Sequence, residues 1–251
     1  MFGNWQSRKN SAKAPKTHLM KVAIIQSNYL PWKGYFDIIN EADVFCFYDE
    51  VKYTKNDWRN RNKIYSRNGL QWLTIPIYKE AVKEKISEVR IADNSWQNLH
   101  YNSLVHCYSK APQFSQLIPL LDDFYKNNQW KFLSEFNQYS IKKISEYLGI
   151  STQFVNSADY NLRGDRIERL INLLADIGAT EYISGPSAKE YLHGREQLFQ
   201  GKKIKLTFKD YGHYPPYPQM KEPFENNVSI MDAIANIKRE EAGKYIYADK
   251  R

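Results

Sequence analysis

Two polar side chains stand where apolar runs stop. Val22-Ala-Ile-Ile25 gives way to Gln26, and Val44-Phe-Cys-Phe-Tyr48 ends on Asp49. A carboxylate at such a place can accept a proton from a bound molecule, and an amide can orient one. After Asp49-Glu50 the chain reads Val51-Lys-Tyr-Thr-Lys-Asn-Asp-Trp-Arg-Asn-Arg-Asn-Lys-Ile64. Arg59, Arg61 and Lys63 supply donors for phosphate or carboxylate, Asn60 and Asn62 add amides, and Tyr53 and Trp58 can stack on a base or sugar. The same residues also fit a solvated basic loop. Two further clusters hold chemistry-bearing groups. Ser184-Gly-Pro-Ser-Ala-Lys189 exposes backbone N–H groups that suit an anion, with Ser184, Gly185, Ser187 and Lys189 as its contacts; it reads equally as a capped helix start. His213, in the proline-rich turn that carries Tyr217 and Gln219, has the titration range of a general base, or serves as a hydrogen-bonding turn residue.

Positioning these groups requires a scaffold, and the order of elements supplies one. Lys21 to Glu50 reads as strand, loop, helix, strand, the βαβ opening of an α/β domain. In such folds ligands lie beyond the carboxyl ends of parallel strands, where Gln26 and Asp49 sit. Leu70–Ile77 after the Asn68-Gly69 turn predicts a strand paired with the stretch before it, and Ile86–Ala92 another short strand. From about Asp93 to Leu148 the spacing is helical, with Pro119 among the expected breaks. Alternation then resumes: strand at Ser151–Val155, helix at Arg166–Ile177 closed by Gly178, strands at Thr180–Ser184 and Ile204–Phe208, helix at Ser229–Ala242. The expectation is a basic disordered extension over 1–20, then one α/β domain over 21–251 with a parallel Rossmann-like (HUP-type) sheet and a helical subregion at about 95–149.

Composition bounds the partners. The chain has 251 residues, 42% hydrophobic and 25% charged, ordinary for a soluble globular protein with one large core or two small ones. A net charge of +8 favours anionic partners such as nucleotides or nucleic acid. Cys46 and Cys107 show neither zinc-type nor thioredoxin-type spacing, which predicts a reducing, cytoplasmic setting. No apolar stretch reaches the roughly 20 residues a membrane span needs, and residues 1–19 lack the apolar segment of a signal peptide. No Walker A, G-x-G-x-x-G, H-E-x-x-H or G-x-S-x-G pattern occurs. Asp37, Asp43 and Asp49 form no recognisable metal set.

Several of these motifs, taken in order, resemble the WbqC-like family. They are Gln26-Ser-Asn-Tyr-Leu-Pro-Trp-Lys-Gly-Tyr-Phe36, Ala42-Asp-Val-Phe45, Asp49-Glu-Val-Lys-Tyr53, Trp58-Arg-Asn-Arg-Asn62, Trp72-Leu-Thr-Ile-Pro76, Tyr182–Leu192 and Ser229-Ile-Met-Asp232. Ser27, Lys52 and Tyr214 depart from the residues usual there. The resemblance implies a place in bacterial O-antigen or capsule (lipopolysaccharide) synthesis: a transferase making an amide by N-acyl or aminoacyl (for instance glycyl) transfer to a nucleotide-linked amino sugar. Its acyl donor is open between aminoacyl-tRNA and an acyl thioester, and no cofactor is assigned. Trp32-Lys-Gly-Tyr35 also stands where the HIGH-motif nucleotidyltransferase and pantothenate synthetase superfamily carries H-x-G-H, with both histidines aromatic here. That places Tyr29, Trp32, Gly34 and Tyr35 as binding residues and moves the chemistry to Asp49 and His213. The alternatives are a non-catalytic nucleotide-sugar or tRNA binder, and a scaffold for a glycan-modifying complex.

Overall fold

The computed structural model describes residues 19–212 and 214–247. In chain order the elements are β1 (Lys21–Ile25), α1 (Lys33–Glu41), β2 (Val44–Phe47), β3 (Arg61–Ser66), β4 (Gly69–Thr74), α2 (Ser95–Tyr108), α3 (Phe114–Tyr125) and α4 (Leu133–Tyr147). There follow β5 (Gln153–Asn156), α5 (Arg166–Ile177), β6 (Glu181–Ser184), α6 (Lys189–Leu192), α7 (Glu196–Gln200), β7 (Lys205–Phe208), α8 (Ile230–Asn236) and α9 (Ala242–Tyr245).

Five strands form one parallel sheet in the order β5-β2-β1-β6-β7. Counted along the chain as sheet strands this is 3-2-1-4-5, the Rossmann-like order, and the order reverses between β1 and β6. The central strands read as unbroken apolar runs because both faces are covered. Their alternation sorts the two faces cleanly. Ala23, Phe45, Phe47 and Ile183 join a large core with α1 to α4, α8 and α9. Val22, Ile24, Val44, Cys46 and Tyr182 join a smaller one with Leu170, Leu174, Leu192 and Phe199.

Local signals placed most elements. The α5 helix spans Arg166–Ile177, with the side chain of Asp165 accepting from the N–H groups of Ile167 and Glu168, and ends at Gly178 with φ 88°. Ser229 caps α8, its Oγ accepting from the N–H of Met231 at 3.3 Å, but that helix stops at Asn236 rather than reaching Ala242. Two further expectations are corrected. Ile86–Ala92 is not a strand: Ile86–Glu88 forms a 3-10 turn, and only the single bridges Arg90 to Phe132 and Ile77 to Ile91 remain. Pro119 does not break its helix but lies inside α3.

The β3–β4 hairpin stands apart from the main sheet, paired only with itself in the register Lys63 to Trp72 and Tyr65 to Leu70. Its inner residues Ile64 and Leu73 are buried, and β3 packs on α2 and α8.

Candidate functional site

A polar network sits at the carboxyl ends of β1 and β2. The Asp49 carboxylate is buried and accepts from the backbone N–H of Ser27 at 2.8 Å and from Nε2 of Gln138, on α4, at 2.9 Å. Burial raises its pKa above the ordinary aspartate value, although these donors and Arg59 pull the other way. The Arg59 guanidinium donates to Gln26 Oε1 at 3.1 Å and to Asn28 Oδ1, and it pairs with Asp57 at 3.5 Å. Tyr35 Oη donates to the Gln26 carbonyl at 2.9 Å, and Asn137 Nδ2 to the Arg59 carbonyl at 2.8 Å. The structure thus brings Gln26, Asp49, Arg59 and Tyr35 into one cluster.

Beside this network opens a cavity of about 360 Å³ lined by Asn28, Pro31, Trp32, Trp58, Asn62, Lys63 and Asn227. Its walls are joined by the backbone. The Tyr29 N–H donates to the Trp58 carbonyl at 3.0 Å, the Ser229 N–H to the Lys63 carbonyl at 2.8 Å, and the Ile230 N–H to the Pro31 carbonyl at 2.9 Å. Asn62 Nδ2 adds a bond to the Leu30 carbonyl at 2.7 Å. Pro31 and Trp32 lead into α1, whose start carries no capping side chain, although the Tyr35 N–H bonds the Trp32 carbonyl at 3.1 Å.

Trp58 and Trp72 stack at 5.6 Å with ring planes 30° apart, yet are 43% and 44% exposed. The Arg61 guanidinium lies 4.5 Å and Lys63 Nζ 5.3 Å from the Trp72 ring. Two half-exposed indoles with two cations on them form a platform that suits a base or sugar bearing phosphates. Gly34 has a packing reason: a Cβ there would run into the indole of Trp32, which folds back over the first turn of α1.

Other predicted site residues are framework. Tyr29 is fully buried, its Oη bonded to Tyr125 Oη and His100 Nδ1, each at 2.7 Å. Tyr53 Oη donates to Asn60 Oδ1 at 2.9 Å, and Asn60 Nδ2 to the Ile75 carbonyl at 2.9 Å, both side chains being buried. Tyr217 Oη and Gln219 Nε2 donate to Asp232 at 2.7 and 2.8 Å. The Ser184 hydroxyl donates to Tyr182 Oη at 3.2 Å. Past Gly185, Ser187 is exposed, Ala188 packs in the smaller core, and Lys189 lies over the Phe208 ring at 5.6 Å. None of these four positions lines the 360 Å³ cavity. His213 lies outside the described residues, as do residues 1–18 of the predicted extension.

Sequence reasoning passed over Asn28, Pro31, Asp57, Trp72, Asn137, Gln138 and Asn227. Asn28 and Pro31 stood inside a stretch already singled out. Asn137 and Gln138 gave no signal, being polar positions of an amphipathic helix far along the chain. Lys33 was also missed: its Nζ is buried without a hydrogen-bond partner among the described residues. It lies over Tyr214, Tyr217 and Phe224 at 4.8, 5.2 and 5.5 Å. Burial lowers its pKa to about 8. Among the described residues no group of three or more His, Cys, Asp or Glu could hold a metal ion, and no helix is long and apolar enough to cross a membrane.

Residues 26–244 match the model of the WbqC-like protein family. A protein of Mycobacterium tuberculosis, itself named as uncharacterised, is 44% identical over 220 residues, covering 87% of this chain and 94% of its own. No solved structure matches.

Proposed function

The chain belongs to the WbqC-like protein family, and from that premise we propose that it is a transferase forming an amide on an amino sugar carried by a nucleotide. The observation that carries this reading is the Trp58–Trp72 platform with Arg61 and Lys63 at the mouth of the cavity. The cavity falls within the usual range for small-ligand sites, about 300–1,000 Å³. Its polar lining, Asn28, Asn62 and Lys63, offers hydrogen bonds to sugar hydroxyls and diphosphate.

In the proposed step the sugar amine attacks the carbonyl carbon of an acyl ester or thioester. A C–N bond forms, the C–O or C–S bond breaks, the alcohol or thiol leaves, and the amine gives up its proton. Asp49 is the proton acceptor this reading favours, held for the role by Ser27 and Gln138. His213 is the second candidate, on sequence grounds. Arg59 bonds Gln26 and also Asn28, which lines the cavity, and so positions rather than reacts. The setting in bacterial surface-polysaccharide synthesis and the cytoplasm belongs to the same proposal.

One observation favours the rival reading of a non-catalytic binder: both Asp49 oxygens already accept hydrogen bonds within the protein. The test is incubation of the purified protein with dTDP- or UDP-linked amino sugars and each donor class, read by mass spectrometry. The expected result is a mass gain on the sugar equal to the acyl group. Saturable sugar-nucleotide binding with no gain from any donor would establish the binder instead.

A further inference from the structure

The platform at the cavity mouth is one end of a longer feature. In a strand, alternate residues share a face. In β3, Asn62 and Ile64 point inward and are buried, so Arg61, Lys63 and Tyr65 share the outward face. Across the hairpin, Lys63 pairs with Trp72 and Tyr65 with Leu70, and both β4 residues are exposed. Arg67 continues the row into the turn. There it lines a second cavity of about 140 Å³ together with Tyr65, His106, Lys110 and Lys221. The carboxylate in that lining, Asp232, is buried and already takes hydrogen bonds from Tyr217 and Gln219.

Among the described residues, none of Arg61, Lys63, Arg67, Lys110 and Lys221 is in an ion pair with a carboxylate. Of these, Arg61 interacts with Asp57, which Arg59 already pairs, and the other four cations, on or beside the hairpin in a chain of net charge +8, have no carboxylate partner among the described residues and call for a polyanion. Same-face residues recur every 6.8 Å or so, which makes the row about 20 Å long from Arg61 to Arg67. That is on the scale of a few nucleotides of an extended strand. The exposed Trp72 indole and Tyr65 among the cations add flat surfaces that unpaired bases can stack on, and a duplex would not offer its bases in that way.

We infer that the outward face of the β3–β4 hairpin, from Trp72 to the Arg67, Lys110 and Lys221 cavity, binds a single strand of nucleic acid. The cations follow its phosphates and Trp72, which does not line the sugar cavity, stacks its terminal base, while Trp58 faces the cavity and is left to the nucleotide sugar. An ester-linked acyl group at the strand's end would thereby reach the site; that purpose alone rests on the reaction proposed above, and the binding does not.

The test is fluorescence anisotropy of the whole protein with a labelled single-stranded RNA of about ten nucleotides, with matching DNA, with the duplex, and with anionic phospholipid vesicles. Single strands are expected to bind, with a log–log salt slope of about −2 to −3 for three to four phosphates at roughly −0.7 each. Arg67→Gln and Lys110→Gln should each flatten the slope by about 0.7 and leave nucleotide-sugar affinity unchanged, which separates this inference from the sugar site. Trp72→Ala should weaken the strand about 5-fold to 150-fold, the range set by stacking one base. If Trp72→Ala lowers the melting temperature, the two charge variants decide. No binding of either single strand at low salt, tighter binding of duplex, vesicle binding without strand binding, or a slope unmoved by both charge variants would overturn the inference.

Discussion

Asp49 and Lys33 are both buried ionisable groups, and burial acts on them in opposite senses. For Asp49 the native pKa is raised, so the folded chain holds that proton more tightly than the unfolded one. Its contribution to stability is therefore best at low pH and declines as pH rises through the native pKa. Asp49→Asn removes the decline and keeps an oxygen to accept from Ser27, while a flipped Gln138 amide can meet the new NH₂ group. We expect this variant to melt at or above the parent at pH 7 while losing about 10²–10⁴ of transfer rate. A variant that folds and turns over normally would transfer the proton-accepting role to His213, which His213→Ala then tests. For Lys33 the native pKa, about 8, lies below the ordinary 10.5. Between these values the unfolded chain carries a proton that the folded chain has shed, so stability rises with pH across that window. Lys33→Met should flatten this rise. The gap in melting temperature between variant and parent, taken from pH 7 to pH 10, reads it directly.

At the level of elements, α1 couples its own start to the cavity. Trp32 lines the cavity and covers Gly34, so Gly34→Ala must push the indole aside. Sugar-nucleotide affinity should fall at least tenfold, with a stability loss of about 1–3 kcal/mol from overpacking, measured by calorimetry and thermal melts. How far each element could be read from sequence follows the physics of its signals. The α5 limits were legible because a cap and a terminal glycine act locally. The strands were legible because a doubly covered parallel sheet demands apolar runs, and the Gln26 and Asp49 positions followed from their ends. Ile86–Ala92 misled because an apolar segment without ladder partners satisfies its backbone through a turn and isolated bridges. Gln138 could not be found, since its meeting with Asp49 depends on how α4 packs across the loops.

Considered as a whole, the molecule is a sheet with unequal sides. Phe45 belongs to the larger core and Cys46, next in the strand, to the smaller. Phe45→Ala should cost about 3–5 kcal/mol by the cavity it leaves, measured by urea unfolding. The large side carries α1 to α4 and α8, of which α2 and α8 hold the hairpin in place, while the parallel sheet contributes only loops to the site. The hairpin bonds to no strand of the sheet and takes its support from α2 and α8 instead. It can therefore open without the sheet opening. Deuterium uptake should divide the chain accordingly, with the amides of β3 and β4 exchanging through a small local opening and those of β1 and β2 only through global unfolding. Whatever occupies the indole platform would then be read as slowed uptake in the hairpin alone, a clock on the site that runs without turnover.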